Sequence, residues 1–457
     1  MPDSPAIAVI GGGISGLAAA WRLQALGGAV TLFEASDRTG GVIRSTRRDG
    51  FLVDEGPNTL VARSTVVTDT IEALGLASER VAANEVADAR YVVRDGALVR
   101  IPTSPSGLLT TPLLSAWAKL RLLGEPFVRP HDGDDEALAA FVRRRLGPEV
   151  LDYAVNPFVA GVYAGDPAHL STRHAFPMLH TLEREHGSLL RGMIHRVRNR
   201  ADAAPKPSPH PFSFRGGAQA LPDAFAGAIG PDAIRLRAPL VALRHDSSGW
   251  RVTTRTDDGT TNEDRFDGVV FTAPLHRLPA IDFEPDVDLG PLADVVYPPL
   301  SVLALGFRRA DVVHALDGFG VLVPEREGLN VLGALFSSTL FPGRAPDGHV
   351  LLTCFVGGMR RPDLAPLPTD DLVPLALADL RALLDVRGKP VFVHRVLWER
   401  AIPQYQVGYG RVIETLDALE ARHAGLAVAG NVRRGISVGD ALEAGLDAAE
   451  RVLNALP

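Results

Sequence analysis

The stretch Ala6-Ile7-Ala8-Val9-Ile10-Gly11-Gly12-Gly13-Ile14-Ser15-Gly16 lies near the N-terminus. Its first five residues are apolar without alternation, which predicts a central parallel strand buried on both faces. Glycines at 11, 13 and 16 then supply a tight turn, a close approach of backbone to a pyrophosphate, and close packing of helix on strand. Leu17 to Leu26, rich in Ala and Leu, predicts a helix that ends near Gly27-Gly28 and points its N-terminus at the phosphates. Ala29 to Phe33 predicts a second strand, followed by Glu34, about twenty residues beyond the loop, where a carboxylate can bind a ribose hydroxyl. A lone glycine pattern also fits a turn in a sheet that binds no nucleotide. Strand, loop, helix and carboxylate in this order predict a dinucleotide-binding α/β domain.

The C-terminal region carries matching elements. Leu426 to Asn431 predicts a buried strand leading into a loop, and Ser437 to Leu456 a helix with apolar Val438, Leu442, Ala449, Val452 and Leu456 at three- and four-residue spacing. Ser437 is its predicted N-cap, which places a positive helix end toward the cofactor. Between the ends, Arg235 to Leu243 with Trp250 to Thr256 predicts a strand pair, and Asp267 to Pro274 a return strand to the nucleotide sheet. A Pro-rich loop is expected around Pro205 to Pro211.

The chain has 457 residues, 46% of them hydrophobic, enough to bury the cores of two or more domains. A net charge of −7 removes the drive toward phosphate backbones, so nucleic acid is not an expected partner. With Cys354 the only cysteine, neither a disulfide framework nor a thiolate metal site is expected within the chain, and the thirteen histidines show no HxxH or HExxH spacing. No metal is expected. The N-terminal residues lack the basic flank and h-region of a signal peptide, so a cytoplasmic location is expected. The longest segment low in charge, Ile101 to Ala118, carries Pro102, Pro105 and Pro112 and is followed by Lys119 and Arg121, which argues against a membrane-spanning helix. Its apolar continuation runs from Leu108 to Leu123. Core packing is the favoured reading of that stretch; a place on a membrane surface is the other.

Glu34-Ala35-Ser36-Asp37-Arg38-Thr39-Gly40-Gly41-Val42-Ile43-Arg44-Ser45 and Asp54-Glu55-Gly56-Pro57-Asn58-Thr59 resemble segments of the flavin amine oxidase superfamily. The resemblance implies non-covalent FAD. Its cofactor-binding residues would be Gly11, Gly13, Ile14, Ser15, Gly16, Glu34, Arg38, Gly41, Val42, Arg44, Gly56, Pro57, Asn58, Thr59, Leu240, Trp398, Ile436, Ser437 and Val438. Arg44 also reads as an ordinary surface arginine, and Trp398 as core.

Asn156-Pro157-Phe158-Val159-Ala160-Gly161-Val162-Tyr163-Ala164-Gly165-Asp166-Pro167 resembles the oxygen-dependent protoporphyrinogen oxidase and coproporphyrinogen III oxidase family. So do Tyr297-Pro298-Pro299, Gly318-Phe319-Gly320, the run Ser337 to Pro346, and Ala401 to Gly408. This implies oxidation of protoporphyrinogen IX to protoporphyrin IX by three hydride transfers to flavin, with O2 as acceptor and H2O2 as product, in haem biosynthesis. Coproporphyrinogen III is the alternative substrate. An amine oxidase is disfavoured because none of the three lysines, Lys119, Lys206 and Lys389, lies in a convincing buried strand. A porphyrin carrier with relic FAD is a further alternative.

By the same resemblance Arg90 would bind a propionate, Gly161 would leave room for the macrocycle, and Leu275 and Phe341 would wall the slot. Arg90 also reads as a strand-edge arginine, Gly161 as a helix break, and Leu275 and Phe341 as plain core. Arg173, His174, Arg344, Arg433 and Arg434 are further cations for a substrate with more carboxylates. The expected architecture is α/β: a discontinuous Rossmann-like FAD domain (1–85, 205–275, 395–457), a mainly helical, membrane-type insert (86–204), and a substrate domain with a mixed β-sheet (276–394 with 86–100). Expected partners are the porphyrinogen, O2, the inner face of the cell membrane, the next haem-pathway enzyme and a second copy of the chain.

Overall fold

The computed structural model describes residues 4–199, 210–283 and 287–456. The Pro-rich loop expected from Pro205 to Pro211 lies largely outside the described residues.

Strand β1 (Ala6–Ile10) is central in a five-stranded sheet, paired in parallel with β2 (Ala29–Phe33) on one side and Gly268–Phe271 on the other. Leu426–Val428 continues the sheet beyond Gly268–Phe271, and Ile234–Arg235 beyond β2, so segments distant in sequence form one parallel surface. Ile7, Ala8 and Val9 are fully buried, as an unbroken apolar run requires when both faces are covered. Helix α1 (Ile14–Ala25) follows the glycine loop and packs along the C-terminal helix, Val438–Asn454.

That helix crossing depends on small residues. A Cβ on Gly445 would stand 2.1 Å from the Ser15 carbonyl oxygen, and the Ser15 hydroxyl donates to the Ala441 carbonyl at 2.7 Å. The C-terminal helix begins as expected: the Ser437 hydroxyl accepts from the Asp440 amide at 3.1 Å, and the Asp440 carboxylate accepts from the Ser437 amide at 3.3 Å. This reciprocal box satisfies two amides that the first helical turn would otherwise leave unpaired.

After β2 the chain forms a hairpin, β3 (Ser45–Arg48) and β4 (Phe51–Asp54), which leans on a seven-stranded mixed sheet. In that sheet Phe392–Trp398, Leu300–Arg308, His349–Gly357, Val331–Leu335, Gly320–Leu322, Arg90–Arg94 and Ala97–Arg100 lie side by side. Phe51 of β4 stacks on Phe392 with ring centroids 4.5 Å apart, which anchors the hairpin on that sheet. Leu240–Asp246, Gly249–Arg255 and Thr261–Phe266 form an antiparallel meander, with Asp282–Phe283 at its edge.

Residues 105–198 are helical, including Ala116–Leu123, Leu138–Arg145, Asn156–Tyr163, Pro177–His186 and Leu189–Arg198. The expectation that Leu108 to Leu123 packs as core is corrected here. Leu113 and Leu114 are buried, but Leu109, Trp117, Leu120 and Leu123 are exposed, Trp117 to 79%. Apolar burial is confined to Leu113 and Leu114, in the linker between the two short helices Pro105–Thr110 and Ala116–Leu123, and the second of these buries no residue. Among the described residues no helix is long and apolar enough to cross a membrane.

Candidate active site

The glycine loop joins β1 to the N-terminus of α1, and each glycine answers a different constraint. A Cβ on Gly16 would lie 1.8 Å from the Gly11 carbonyl oxygen, so only glycine lets α1 sit this close to the strand. Gly11 has φ +105°, which L side chains rarely adopt. Around Gly13 the case is different, because a Cβ there would meet no protein atom within 4 Å. The space in front of Gly13, at the helix N-terminus, therefore suits a pyrophosphate.

Glu34 is held at the edge of this loop. Its Oε2 accepts the Gly12 amide at 2.7 Å, and its Oε1 accepts the Ser36 amide and hydroxyl, each at 2.8 Å. The Ala238 amide donates to the Glu34 carbonyl at 2.9 Å, so the segment leading to Leu240 runs beside this carboxylate. The second glycine pair closes onto the first, with the Gly40 amide donating to the Gly12 carbonyl at 2.7 Å. Arg38 is spent on that turn: its guanidinium donates to the carbonyls of Thr39 (2.9 Å), Ile43 (3.2 Å) and Gly41 (2.6 Å). Burial, and then the neighbouring Arg44, lower its pKa.

Gly56 lies against Val42, where a Cβ would be 2.1 Å from the Val42 carbonyl oxygen, and the Asn58 side-chain amide donates to the Gly56 carbonyl at 2.9 Å. Glu55 just before it is a buried hub that sequence reasoning missed. Its carboxylate accepts from Thr46 Oγ1 at 2.5 Å, pairs with Arg44 Nε at 3.2 Å, and meets His394 Nε2 at 3.0 Å. Its carbonyl accepts from Trp398 Nε1 at 2.9 Å, which brings Trp398 to the Asp54–Thr59 segment. The glycine loop, Glu34, the Gly40–Gly41 turn and Gly56 are thus held against one another in sequence, Gly12 against Glu34 and Gly40, Gly13 against Gly41, and Val42 against Gly56. Ser15 differs in one respect, since its hydroxyl is committed to Ala441.

Of the four substrate candidates, two come together. Arg90 pairs in register with Gly320, and a Cβ on Gly161 would stand 2.4 Å from Leu322 Cδ2, two residues farther along that strand. The exposed Arg90 guanidinium lies over the Phe319 ring, 5.1 Å from its centroid. Leu275 and Phe341 are both almost fully buried and belong to separate clusters, Leu275 in the core beneath the parallel sheet and Phe341 with Ala87 and Leu340. Leu322 and the half-buried Phe355 present more open apolar surface near Gly161, Phe355 packing against the cluster that holds Ala160. Neither was visible beforehand, because both sit in strands whose apolar residues look alike in sequence.

Three of the five extra cations are consumed internally. Arg344 pairs with Asp54 at 2.8 Å, Arg433 with Asp417 at 2.6 Å and Glu420 at 3.0 Å, and Arg434 with Glu443 at 3.4 Å and with Asp447. Burial lowers the pKa of His174. Among the described residues no group of three or more His, Cys, Asp or Glu is arranged to hold a metal.

Beside Leu275, His276 meets Tyr297 edge-on at 5.1 Å. Burial, with Arg400 and Arg277 nearby, pushes the His276 imidazole down to about 4. The unfolded chain, with an ordinary histidine near 6.5, binds this proton first as pH falls. Stability is therefore present above about 6.5 and is lost progressively between about 6.5 and 4. His276→Asn is expected to flatten the fall of the melting temperature over this window in scanning calorimetry. An unchanged slope would remove His276 as its source.

A parallel sheet with a glycine loop between its central strand and the following helix defines a dinucleotide-binding protein, and the family match makes it a flavin-dependent oxidoreductase that binds FAD. Residues 14–453 match the family described as flavin containing amine oxidoreductase. The mitochondrial protoporphyrinogen oxidase of Nicotiana tabacum is 37% identical over 98% of this chain and 95% of its own length. The coproporphyrinogen III oxidase of Bacillus subtilis (strain 168) is 28% identical over 98% of each chain. A solved structure from Exiguobacterium sp. 255-15 superposes with TM-score 0.82 and 26% identity over 99% of each chain. The chain belongs to the flavin containing amine oxidoreductase family and, within it, to the protoporphyrinogen and coproporphyrinogen III oxidases.

Proposed function

We propose that the chain oxidises protoporphyrinogen IX to protoporphyrin IX in haem biosynthesis. The substrate loses six hydrogens in three two-electron steps, each as a hydride to the flavin and a proton, and three O2 are reduced to three H2O2. The observation that supports this reading is an exposed cation, Arg90, on a strand whose neighbour carries Leu322 against Gly161, with the Arg90 guanidinium lying over the half-buried Phe319 ring. A large apolar macrocycle bearing carboxylates at one edge needs that combination. FAD bound in the groove supplies the hydride acceptor. The chain's own part is to hold the macrocycle, to fix Glu55 and Trp398 against the cofactor segment, and to exclude water with Leu322 and Phe355.

Coproporphyrinogen III remains the second reading, since a relative of that name also aligns along the whole chain. Its two additional carboxylates would call for more cations, and the commitment of Arg344, Arg433 and Arg434 to internal pairs favours protoporphyrinogen. Anaerobic mixing of the holoprotein with each porphyrinogen tests both readings. Bleaching of the flavin, then porphyrin fluorescence when air is admitted, identifies the substrate. Bleaching by neither overturns the assignment. Arg90→Ala is expected to raise KM about 10- to 100-fold, the worth of one charge-assisted hydrogen bond, and to change kcat less than about twofold. Steady-state kinetics checks it; an equal loss in kcat and kcat/KM would place Arg90 in the chemistry instead.

The division into a discontinuous FAD domain, a helical insert and a substrate domain belongs to the same proposal, with the insert as the bilayer contact. Trp117 and Phe127 are 79% and 85% exposed, near Leu109, Leu120 and Leu123 and the cations Lys119 and Arg121. An apolar face with flanking cations suits an anionic membrane surface. Trp117→Ser with Phe127→Ser is expected to reduce co-sedimentation with anionic vesicles about tenfold. Equal sedimentation of parent and variant would exclude this face.

A further inference from the structure

Hairpin β3–β4 leaves the cofactor groove carrying two consecutive carboxylates that serve different elements. Glu55 grips the strand of His394 and Trp398, as described. Asp54 turns elsewhere. Its Oδ2 pairs with Arg344 Nη2 at 2.8 Å, while its Oδ1 accepts from the Ser45 hydroxyl at 2.5 Å and the Ala218 amide at 2.9 Å. Arg344 Nη2 also donates to the Ser213 hydroxyl at 2.7 Å, and the Arg344 carbonyl accepts the Leu52 amide at 3.1 Å. Its guanidinium lies 5.5 Å from the centroid of Phe341. Three segments therefore meet at one buried ion pair: the hairpin, residues 213–218, and residues 337–344.

This pair lies between the cofactor segment and the cluster that holds Phe341. A small void beside it is lined by Asp54, Asn58, Ser337, Phe341 and Arg344 among others, and the buried Arg344 Nη1 has no protein partner. Asn58 belongs to the cofactor segment, and Phe341 packs in the cluster against which Phe319 rests, the ring that the Arg90 guanidinium covers. Stability alone does not account for the pair. Burial pushes the Asp54 carboxyl up and the Arg344 guanidinium down, so desolvation outweighs their attraction. A buried ion pair is weak evidence for stability, because well-packed neutral residues of similar volume often fold as well.

We propose that Asp54 and Arg344 are positioning residues that couple FAD binding to the order of the 337–344 loop, and so to binding at the porphyrinogen slot. Cofactor seated on Gly56–Thr59 fixes the end of β4, Asp54 fixes Arg344, and Arg344 fixes the loop under Phe341. By linkage, an ordered loop tightens FAD by the same factor. The slot part of this inference rests on the porphyrinogen reading; the cofactor-to-loop part does not.

Amide hydrogen exchange across Ser337–Arg344, with and without FAD, tests it. In the parent, FAD is expected to slow exchange there about tenfold, an ordinary coupling factor. In Asp54→Asn with Arg344→Gln, which removes both charges together, FAD should still protect the Gly11–Gly16 segment but no longer the loop. Should that variant fail to fold, Arg344→Lys serves, since it keeps the charge and loses the fork that bonds Asp54 and Ser213 together; the FAD-dependent protection should then shrink. Loop protection in either variant equal to the parent's overturns the proposal, as does a parent loop indifferent to FAD. Flavin bleaching by porphyrinogen is scored separately, so failure of the substrate reading is distinguishable from failure of the coupling.

Discussion

Gly13→Ala is expected to leave the apoprotein folded with only a small loss of stability and to weaken FAD at least about a hundredfold, whereas Gly16→Ala is expected to cost both. At Gly13 the backbone has φ −71° and ψ 177°, which alanine adopts freely, and no protein atom lies within 4 Å of the added carbon. The protein itself loses only glycine's advantage over alanine at a helix N-cap, about 1 kcal/mol or less. The added methyl occupies the space proposed for the pyrophosphate, and a hundredfold loss of affinity corresponds to about 2.7 kcal/mol. At Gly16 the new carbon would stand 1.8 Å from the Gly11 carbonyl oxygen and 2.6 Å from Thr272 Oγ1. Backbone cannot yield as a side chain tip can, so α1 must move off the sheet at a cost above about 3 kcal/mol, beyond the usual range for an overpacked core. Flavin fluorescence quenching gives the affinities, and calorimetry of the apoproteins the stabilities. If Gly13→Ala retains parent affinity, the pyrophosphate does not lie on this loop.

The contrast shows what a motif in sequence can carry. The turn, the strand and the helix of the first thirty-three residues are written locally, in an unbroken apolar run, glycine spacing and an Ala/Leu-rich segment, and they form where expected. Ser437 is equally local, because an N-cap and its partner Asp440 lie within one turn. Legibility ends where a residue's role depends on a distant partner. Arg344, Arg433 and Arg434 look like free cations in sequence, and only the fold brings Asp54, Asp417, Glu420 and Glu443 to them. Glu55 was one letter in a cofactor segment until His394 and Trp398 arrived from the far end of the chain. Leu108 to Leu123 failed in the opposite sense, since hydrophobicity tells that a surface needs covering but not what covers it.

The same limit hid a charge network in the helical region, and its removal carries the second large effect. Arg145→Met is expected to destabilise that region by about 3–5 kcal/mol, the usual cost of breaking one side of a buried ion pair. Arg145 has no exposed surface; it pairs with Glu125 at 2.8 Å and Glu183 at 2.5 Å, and donates to the Gly187 carbonyl at 2.9 Å. Glu125, equally buried, accepts from the Ser188 hydroxyl at 2.6 Å and the amides of Leu189 and Leu190 at 2.8 and 3.2 Å, and so caps the helix Leu189–Arg198. Burial alone would raise the Glu125 pKa; these hydrogen bonds and then the Arg145 charge outweigh it and hold the carboxyl below its ordinary range. Without Arg145 that balance shifts toward the burial penalty, and the folded state favours protonated Glu125 more than the parent does, while Glu183 keeps its pair with Arg144 at 2.8 Å. Groups whose folded pKa rises contribute stability at low pH that is lost as pH rises. The deficit of Arg145→Met against the parent should therefore be larger at pH 8 than at pH 5, as read from the calorimetric transition of the helical region. FAD affinity should stay within about twofold, because no residue of this network borders the cofactor groove. A deficit independent of pH would mean that lost packing of the long side chain, rather than a Glu125 carboxylate left without its cation, is what the substitution exposes.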